Sequence, residues 1–238
     1  RMKRKIMKSL IAWKNSEDRK PLLLFGQRQV GKTYILNEFG KLYYENVVYV
    51  NFETNLSIAS YFQNDISPER IIRFLETTVN QEIVPGKTLI IFDEIQSCER
   101  AMTSLKYFYE NLPQYHITGA GSLLGIAVNR HQYSFPVGKV ETLSLYPLDF
   151  EEFLWAMNEE RLGHIIKEAY EDMKPLPDNL HNKAIDYYRE YLIVGGMPAC
   201  VERYSRDRKL IFVQDIQNEI LRNYVADMVK YANASETV

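Results

Sequence analysis

Gly26-Gln27-Arg28-Gln29-Val30-Gly31-Lys32-Thr33 satisfies the pattern G-x-x-x-x-G-K-[ST] at every required position. Before it, Pro21-Leu22-Leu23-Leu24-Phe25 is an apolar run of strand length, and after it Tyr34-Ile35-Leu36-Asn37-Glu38-Phe39 reads as a helix that stops near Gly40. Strand, glycine-rich loop and helix in that order form a phosphate cradle. N–H groups of the loop and of the helix start have no backbone partner, point at anionic oxygens and are reinforced by the helix dipole. Gly26 and Gly31 let the backbone approach, Gln27, Arg28, Gln29 and Val30 carry the loop amides, and Tyr34 is a further cofactor-binding candidate directly after the loop. Lys32 can reach the β- and γ-phosphates as a flexible point charge, and the Thr33 hydroxyl is a candidate inner ligand for Mg²⁺. The expected cofactors are therefore ATP and Mg²⁺.

A second stretch supports the first. Thr88-Leu89-Ile90-Ile91-Phe92 is a continuous apolar run that ends in Asp93-Glu94, as a fully buried parallel strand does when it delivers two carboxylates at its carboxyl edge. Ligands of open α/β sheets bind at that edge. Asp93 is the candidate metal ligand opposite Thr33. Glu94 is the candidate group that orients and polarises an attacking water, since phosphoryl transfer asks the protein mainly for positioning and charge stabilisation. Further on, Tyr115-His116-Ile117-Thr118-Gly119-Ala120-Gly121-Ser122 reads as a short strand with a polar tip. It resembles the strand that many ATPases of the Asp-Glu type place between the phosphate-loop and Asp-Glu strands with its tip facing the γ-phosphate, which makes Ser122, ahead of Thr118, the candidate for that role.

The remaining elements fill out a parallel sheet flanked by helices, with expected strand order 5-1-4-3-2. Val47 to Phe52 is the second strand and Pro68 to about Asn80 a helix with proline at its start. A helix from Arg100 to about Asn111 leads into the polar-tipped strand, and a mixed segment from Asn129 to Lys139 joins the fifth strand, Val140 to Leu145. Residues Met2 to about Asn15 read as an amphipathic helix whose basic end, Arg1-Met2-Lys3-Arg4-Lys5, is solvated or touches a nucleic acid or an acidic partner. From Tyr146 the pattern turns helical. Pro147-Leu148-Asp149-Phe150-Glu151-Glu152-Phe153-Leu154-Trp155 carries proline and aspartate at a helix start and acids in the first turn, Lys174 to Asp178 is a loop, and Gly195-Gly196-Met197-Pro198 separates two helices. The expected division is an ATPase core over residues 1–146 and a smaller helical lid over residues 147–238.

Composition limits the classes. With 238 residues, 46% hydrophobic and 25% charged, the chain has the make-up of an ordinary globular protein, and a formal net charge of −2 argues against a surface given over to nucleic acid. Cys98 and Cys200 lie far apart, which indicates neither a disulfide framework nor a zinc site and makes a reducing cytoplasm the expected compartment. No run approaches the roughly 18 apolar residues of a membrane span. A first residue other than Met suggests that the natural start lies upstream.

The phosphate loop, Asp93-Glu94-Ile95-Gln96, Thr118 to Ser122, Pro147 to Phe153 and Gly195 to Pro198 together resemble the prokaryotic AAA-type ATPases that carry a DUF4143 C-terminal region, near the STAND-like and archaeal-ATPase branch. That resemblance covers nearly the whole chain. It implies an AAA_14-like ATPase core, a helical lid and a C-terminal region mostly absent here, which would name the partner. Many members have Gly-Arg where this chain has Gly138-Lys139; a lysine keeps the charge of a γ-phosphate sensor but loses its bidentate fork.

Three functions compete on these grounds. The leading one is an ATP-hydrolysing regulatory module that passes nucleotide state to a protein partner or further domain. A nucleotide-dependent scaffold with negligible hydrolysis and a small-molecule kinase are the alternatives. Nucleic-acid binding through the N-terminal cluster or Arg203, Arg206, Arg208 and Lys209, and association into an oligomer, are left open by the sequence.

Overall fold

A computed structural model describes residues 2–122 and 136–235. The chain divides into two compact units: Ile6–Leu145, and Tyr146–Asn233 with the N-terminal residues 2–5. The first is built on five strands, β1 (Leu22–Phe25), β2 (Asn46–Asn51), β3 (Thr88–Asp93), β4 (His116–Gly121) and β5 (Glu141–Ser144). All pairings are parallel and the order is β2-β3-β4-β1-β5, the order read from the sequence taken from the other edge.

Strand side chains alternate between two faces, and each face carries its own helices. On one, Leu23, Val50, Ile90, Phe92 and Ile117 pack with residues of α3 (Leu56–Asn64), α4 (Pro68–Val79) and α5 (Glu99–Asn111), including Phe62, Ile71 and Leu105. On the other, Leu22, Leu24, Leu89, Ile91 and Ala120 pack with Leu10 and Trp13 of α1 (Ile6–Asn15) and with Ile35, Leu36 and Phe39 of α2 (Lys32–Tyr43). Central β3 and β4 are buried at every position, which explains why the sequence of β3 is apolar without alternation.

Two boundaries differ from expectation for physical reasons. Helix α2 runs through Gly40 to Tyr43. Gly40 marks a close approach and not a stop, since a Cβ there would lie 2.3 Å from Val47 Cγ2. Helix α1 begins at Ile6 instead of Met2, and residues 2–5 belong to the other unit. The short α3 gives no strong periodic signal in sequence. Its start is capped by the Asn55 side chain, which accepts from Ile58 N–H, and it buries Ile58 and Phe62.

The second unit contains α6 (Phe150–Ala156), α7 (Glu160–Glu171), α8 (Asp178–Val194), α9 (Pro198–Asp207) and α10 (Leu210–Ser235). Leu148, Phe153, Val194, Val201, Val213 and Ile220 form its core. A capping box starts α6: Asp149 Oδ1 accepts from Glu152 N–H at 2.9 Å, and Glu152 Oε2 accepts from Asp149 N–H at 3.2 Å. Gly196 is required where α8 turns into α9, because its backbone lies against Leu148, whose carbonyl oxygen would be 2.2 Å from an added Cβ.

The basic N-terminus is bound up in this unit. Arg4 and Glu152 are both buried and paired at 3.2 Å, Lys5 N–H donates to Glu152 Oε1 at 2.7 Å, and Arg4 Nη2 donates to the Tyr146 carbonyl at 2.5 Å. Lys5 Nζ pairs with Asp149 and Glu151, and Lys3 Nζ with Glu160. These charges serve as a strap onto α6 and α7, which replaces the solvated helix end expected from sequence. The three arginines of the second basic cluster are likewise paired: Arg203 with Asp207, Arg206 with Glu202 and Arg208 with Glu190. Among the described residues no helix is long and apolar enough to cross a membrane.

Candidate functional site

The phosphate loop leaves β1 at Phe25, whose carbonyl accepts from Leu145 N–H at 2.7 Å, so the end of β5 runs beside Gly26. A Cβ on Gly26 would meet the Leu145 carbonyl oxygen at 2.5 Å and Val30 Cγ1 at 2.9 Å, which is why this position takes no side chain. The loop then turns through left-handed backbone at Gln29 (φ 64°) and Gly31 (φ 99°). Gly31 caps α2 without a side-chain bond, so the first N–H groups of the helix are left for a ligand. Val30 is fully buried and anchors the loop, Tyr34 is exposed, and Arg28 pairs with Glu53 at 3.5 Å.

Lys32 is 7% exposed, and its Nζ donates to the Gly26 and Gln27 carbonyls at 2.8 Å each. Burial pulls its pKa below the usual lysine value; the charges of Glu94 and Asp93 oppose that shift and Arg28 adds to it. A desolvated ammonium whose hydrogen bonds go to neutral carbonyls suits an anionic partner.

Asp93 ends β3 and is 2% exposed. Its Oδ2 accepts from Thr33 Oγ1 at 2.6 Å and from the Tyr49 hydroxyl at 2.7 Å, and its Oδ1 accepts from Glu94 N–H at 2.9 Å. Thr33 and Asp93 thus meet across 60 residues of sequence. Among the described residues no three His, Cys, Asp or Glu converge on one point. A hydroxyl and one carboxylate are nevertheless the donor set that suits Mg²⁺, which fills its other positions with phosphate oxygens and water. Tyr49, on β2, escaped the sequence reading because only strand register brings it to Asp93; its phenol is pushed up to about 12 by burial and by that hydrogen bond.

Glu94 adopts left-handed backbone (φ 49°) and opens a 3₁₀ turn, Ile95–Ser97. Ile95 is buried in the sheet's core beside Gly119, where a larger residue would press on Leu23 and Ile95. This anchored turn brings Gln96 back so that its Nε2 donates to Glu94 Oε2 at 2.5 Å. Ser122 is buried immediately beyond Gly121, which pairs with Phe25, so it stands at the same edge as Gly26. Thr118 does not reach that edge. It is fully buried in mid-strand and donates to the Ile90 carbonyl at 3.2 Å.

The opposite edge of the sheet is different in kind. Lys139 precedes β5, whose Glu141 pairs with Leu22 at the start of β1; it therefore lies at the amino edge, bonded to Glu110 at 3.3 Å, away from the phosphate loop. Lys139 thus stands as a lysine at a strand start. Nearby, the Tyr44 hydroxyl lies 2.7 Å from His116 Nδ1, Trp13 packs edge-on against the His116 ring, and Trp13 Nε1 donates to the Lys20 carbonyl at 2.7 Å. Burial, helped by Arg19 and Lys14, pushes His116 down to about 4, and burial raises Tyr44 as well, so both are neutral and the phenol donates to the imidazole. The segment 129–135 of the expected connection to β5 lies outside the described residues, as do the other residues between 122 and 136.

A family model described as an AAA domain matches residues 18–154, and one for a domain of unknown function, DUF8612, matches residues 185–238, where the resemblance in sequence had implied a DUF4143-type region. No curated protein matches the chain. Similar solved structures include AMPPCP-bound DnaA from Aquifex aeolicus, 18% identical with a TM-score of 0.40, covering 83% of this chain and 57% of that one. PCH-2 from C. elegans is 11% identical with a TM-score of 0.44, covering 92% and 67%. A RuvB variant from Thermotoga maritima is 14% identical with a TM-score of 0.38, covering 82% and 70%. The chain thus spans little more than half the length of the DnaA chain.

Proposed function

The chain belongs to the AAA domain family, and from that premise we propose that it binds ATP with Mg²⁺ and hydrolyses it, as a regulatory module whose helical unit reports nucleotide state to a partner. The observation that carries this reading is the 2.6 Å bond between Thr33 Oγ1 and Asp93 Oδ2, with Glu94 the next residue in the chain. The loop and α2 amides bind phosphate oxygens, and Lys32 neutralises them from a site where its charge is otherwise poorly solvated. Thr33 and Asp93 would hold Mg²⁺, which when bound would supply charge neutralisation to the phosphates. Glu94 accepts a hydrogen bond from a water and orients it for in-line attack, and Ser122 faces the γ-phosphate end. Both cysteines are buried free thiols, which suits the reducing cytoplasm proposed as its compartment.

The test is a Glu94→Gln variant. We expect ATP-Mg²⁺ affinity at or above that of the parent and turnover lower by a factor on the order of 10²–10⁴, the range of a positioned acid–base group. Unchanged turnover would overturn the assigned role of Glu94. A parent that binds ATP without turnover would point to a scaffold, and transfer of phosphate to a small-molecule acceptor in preference to water would point to a kinase.

A further inference from the structure

Gln96 is 5% exposed, and its two amide atoms are treated very differently. Nε2 donates to Glu94 Oε2 at 2.5 Å, whereas Oε1 is buried with no hydrogen-bond partner among the described residues. Buried polar atoms in folded proteins are nearly always paired, so an orphan of this kind calls for a reason. The amide cannot relieve it by turning over, because the orphaned oxygen would then face a carboxylate oxygen at the same short distance. A leucine or methionine here would fill the same space without burying an unpaired oxygen, so stability alone does not account for glutamine.

The surrounding backbone is shaped to the same end. Glu94 takes left-handed backbone, a conformation costly for a residue with a side chain. The turn that follows is pinned by Ile95 in the core and by bonds from Ser97 N–H to the Glu94 carbonyl at 2.9 Å and from Cys98 N–H to the Ile95 carbonyl at 3.1 Å. Strain in Glu94 and an unpaired oxygen in Gln96 thus meet at one contact, the amide on the Glu94 carboxylate.

We propose that Gln96 is a positioning residue for hydrolysis: its amide clamps one oxygen of Glu94, which fixes the carboxylate so that the other oxygen is presented to the attacking water. The proposal rests on the hydrolytic reading given above. Gln96 touches neither nucleotide nor water in this role and acts through Glu94 alone. Its removal should therefore lower turnover while leaving nucleotide affinity and stability where they were.

The experiment compares the parent, Gln96→Met, Gln96→Leu, Glu94→Gln and the double variant Gln96→Met/Glu94→Gln, all in the full chain. ATP-Mg²⁺ affinity is read by calorimetry, turnover by phosphate release, and thermal stability by melting. For Gln96→Met we expect turnover to fall roughly 10- to 100-fold, the scale of a small misplacement of a reacting group, with affinity within about threefold of the parent and a melting temperature equal or higher. In the Glu94→Gln background the same change should cost nothing further, since residues acting as one unit are not additive. Gln96→Leu should repeat the pattern and guards against a fault specific to methionine. Parent-like turnover in both Gln96 variants, with Glu94→Gln inactive, would overturn the clamp and leave the hydrolytic reading standing. A joint fall of affinity, stability and turnover, or a loss that adds in full to that of Glu94→Gln, would show a structural role and overturn it too. Absence of turnover in the parent would remove the hydrolytic reading and this proposal with it.

Discussion

The two edges of one parallel sheet bury polar groups in opposite ways. At the carboxyl edge the ionisable side chains of Lys32 and Asp93 are buried, flanked by left-handed backbone at Gln29, Gly31 and Glu94. At the amino edge His116 and Tyr44 are buried as neutral rings that pair with each other, and Trp13 is satisfied by a carbonyl. Burying a charge costs far more than burying a neutral hydrogen-bonded group. The first edge therefore buries ionisable groups whose desolvation is costly even when they are hydrogen-bonded, whereas the second buries neutral groups whose pairing is complete.

The largest effect that could break this contrast is that of Lys32→Ala. Nucleotide binding should disappear in a calorimetric titration, with affinity down at least on the order of 10²-fold, since a desolvated triphosphate loses its principal cation. The melting temperature of the free protein should hold or rise, because the variant no longer buries a charge whose pKa the fold depresses. A marked loss of stability would mean that Lys32 supports the fold as His116 does.

At the amino edge the expected effect is on stability and its pH dependence. The folded pKa of His116, about 4, lies below the unfolded value of about 6.5. The unfolded chain thus binds the extra proton first, and stability present above pH 6.5 is lost as the pH falls toward 4, by on the order of 3 kcal/mol in full. Denaturant unfolding across pH 4–7 measures this. Replacing both partners, Tyr44→Phe with His116→Phe, should flatten that dependence and leave ATP affinity unchanged; a change in affinity would show that the two edges are coupled.

The smallest effect is that of Tyr49→Phe. Asp93 Oδ2 keeps Thr33 as a donor, so the lost bond should cost about 1 kcal/mol by denaturant unfolding. A loss of several kcal/mol would place Tyr49 among the supports of the fold.

Legibility in the sequence follows the same division between local and register-dependent features. The order of the five strands followed from the resemblance to ATPases of the Asp-Glu type, whereas the phosphate loop and the apolar run of β3 ending in Asp93-Glu94 were readable because each is a contiguous stretch. Asp149 and Glu152 were readable as a helix start for the same reason. Tyr49 at Asp93, Gly40 against Val47, and Lys139 at the far edge all depend on how strands and helices line up across the fold, which adjacent residues do not encode. Gln96 was visible as a polar residue after the two acids, but the left-handed turn at Glu94 that folds it back was not.

The strap of residues 3–5 on α6 and α7 sets an order on the assembly of the chain during synthesis. Arg4 is separated from its partner Glu152 by 148 residues, and everything between Ile6 and Leu145 belongs to the sheet unit. At the roughly 5–20 residues per second of translation, Arg4 and Lys5 wait on the order of 7–30 s before α6 is made. The last strand of the sheet is by then made, so the contacts of Arg4 and Lys5 with α6 form only after all of Ile6–Leu145 has been synthesised.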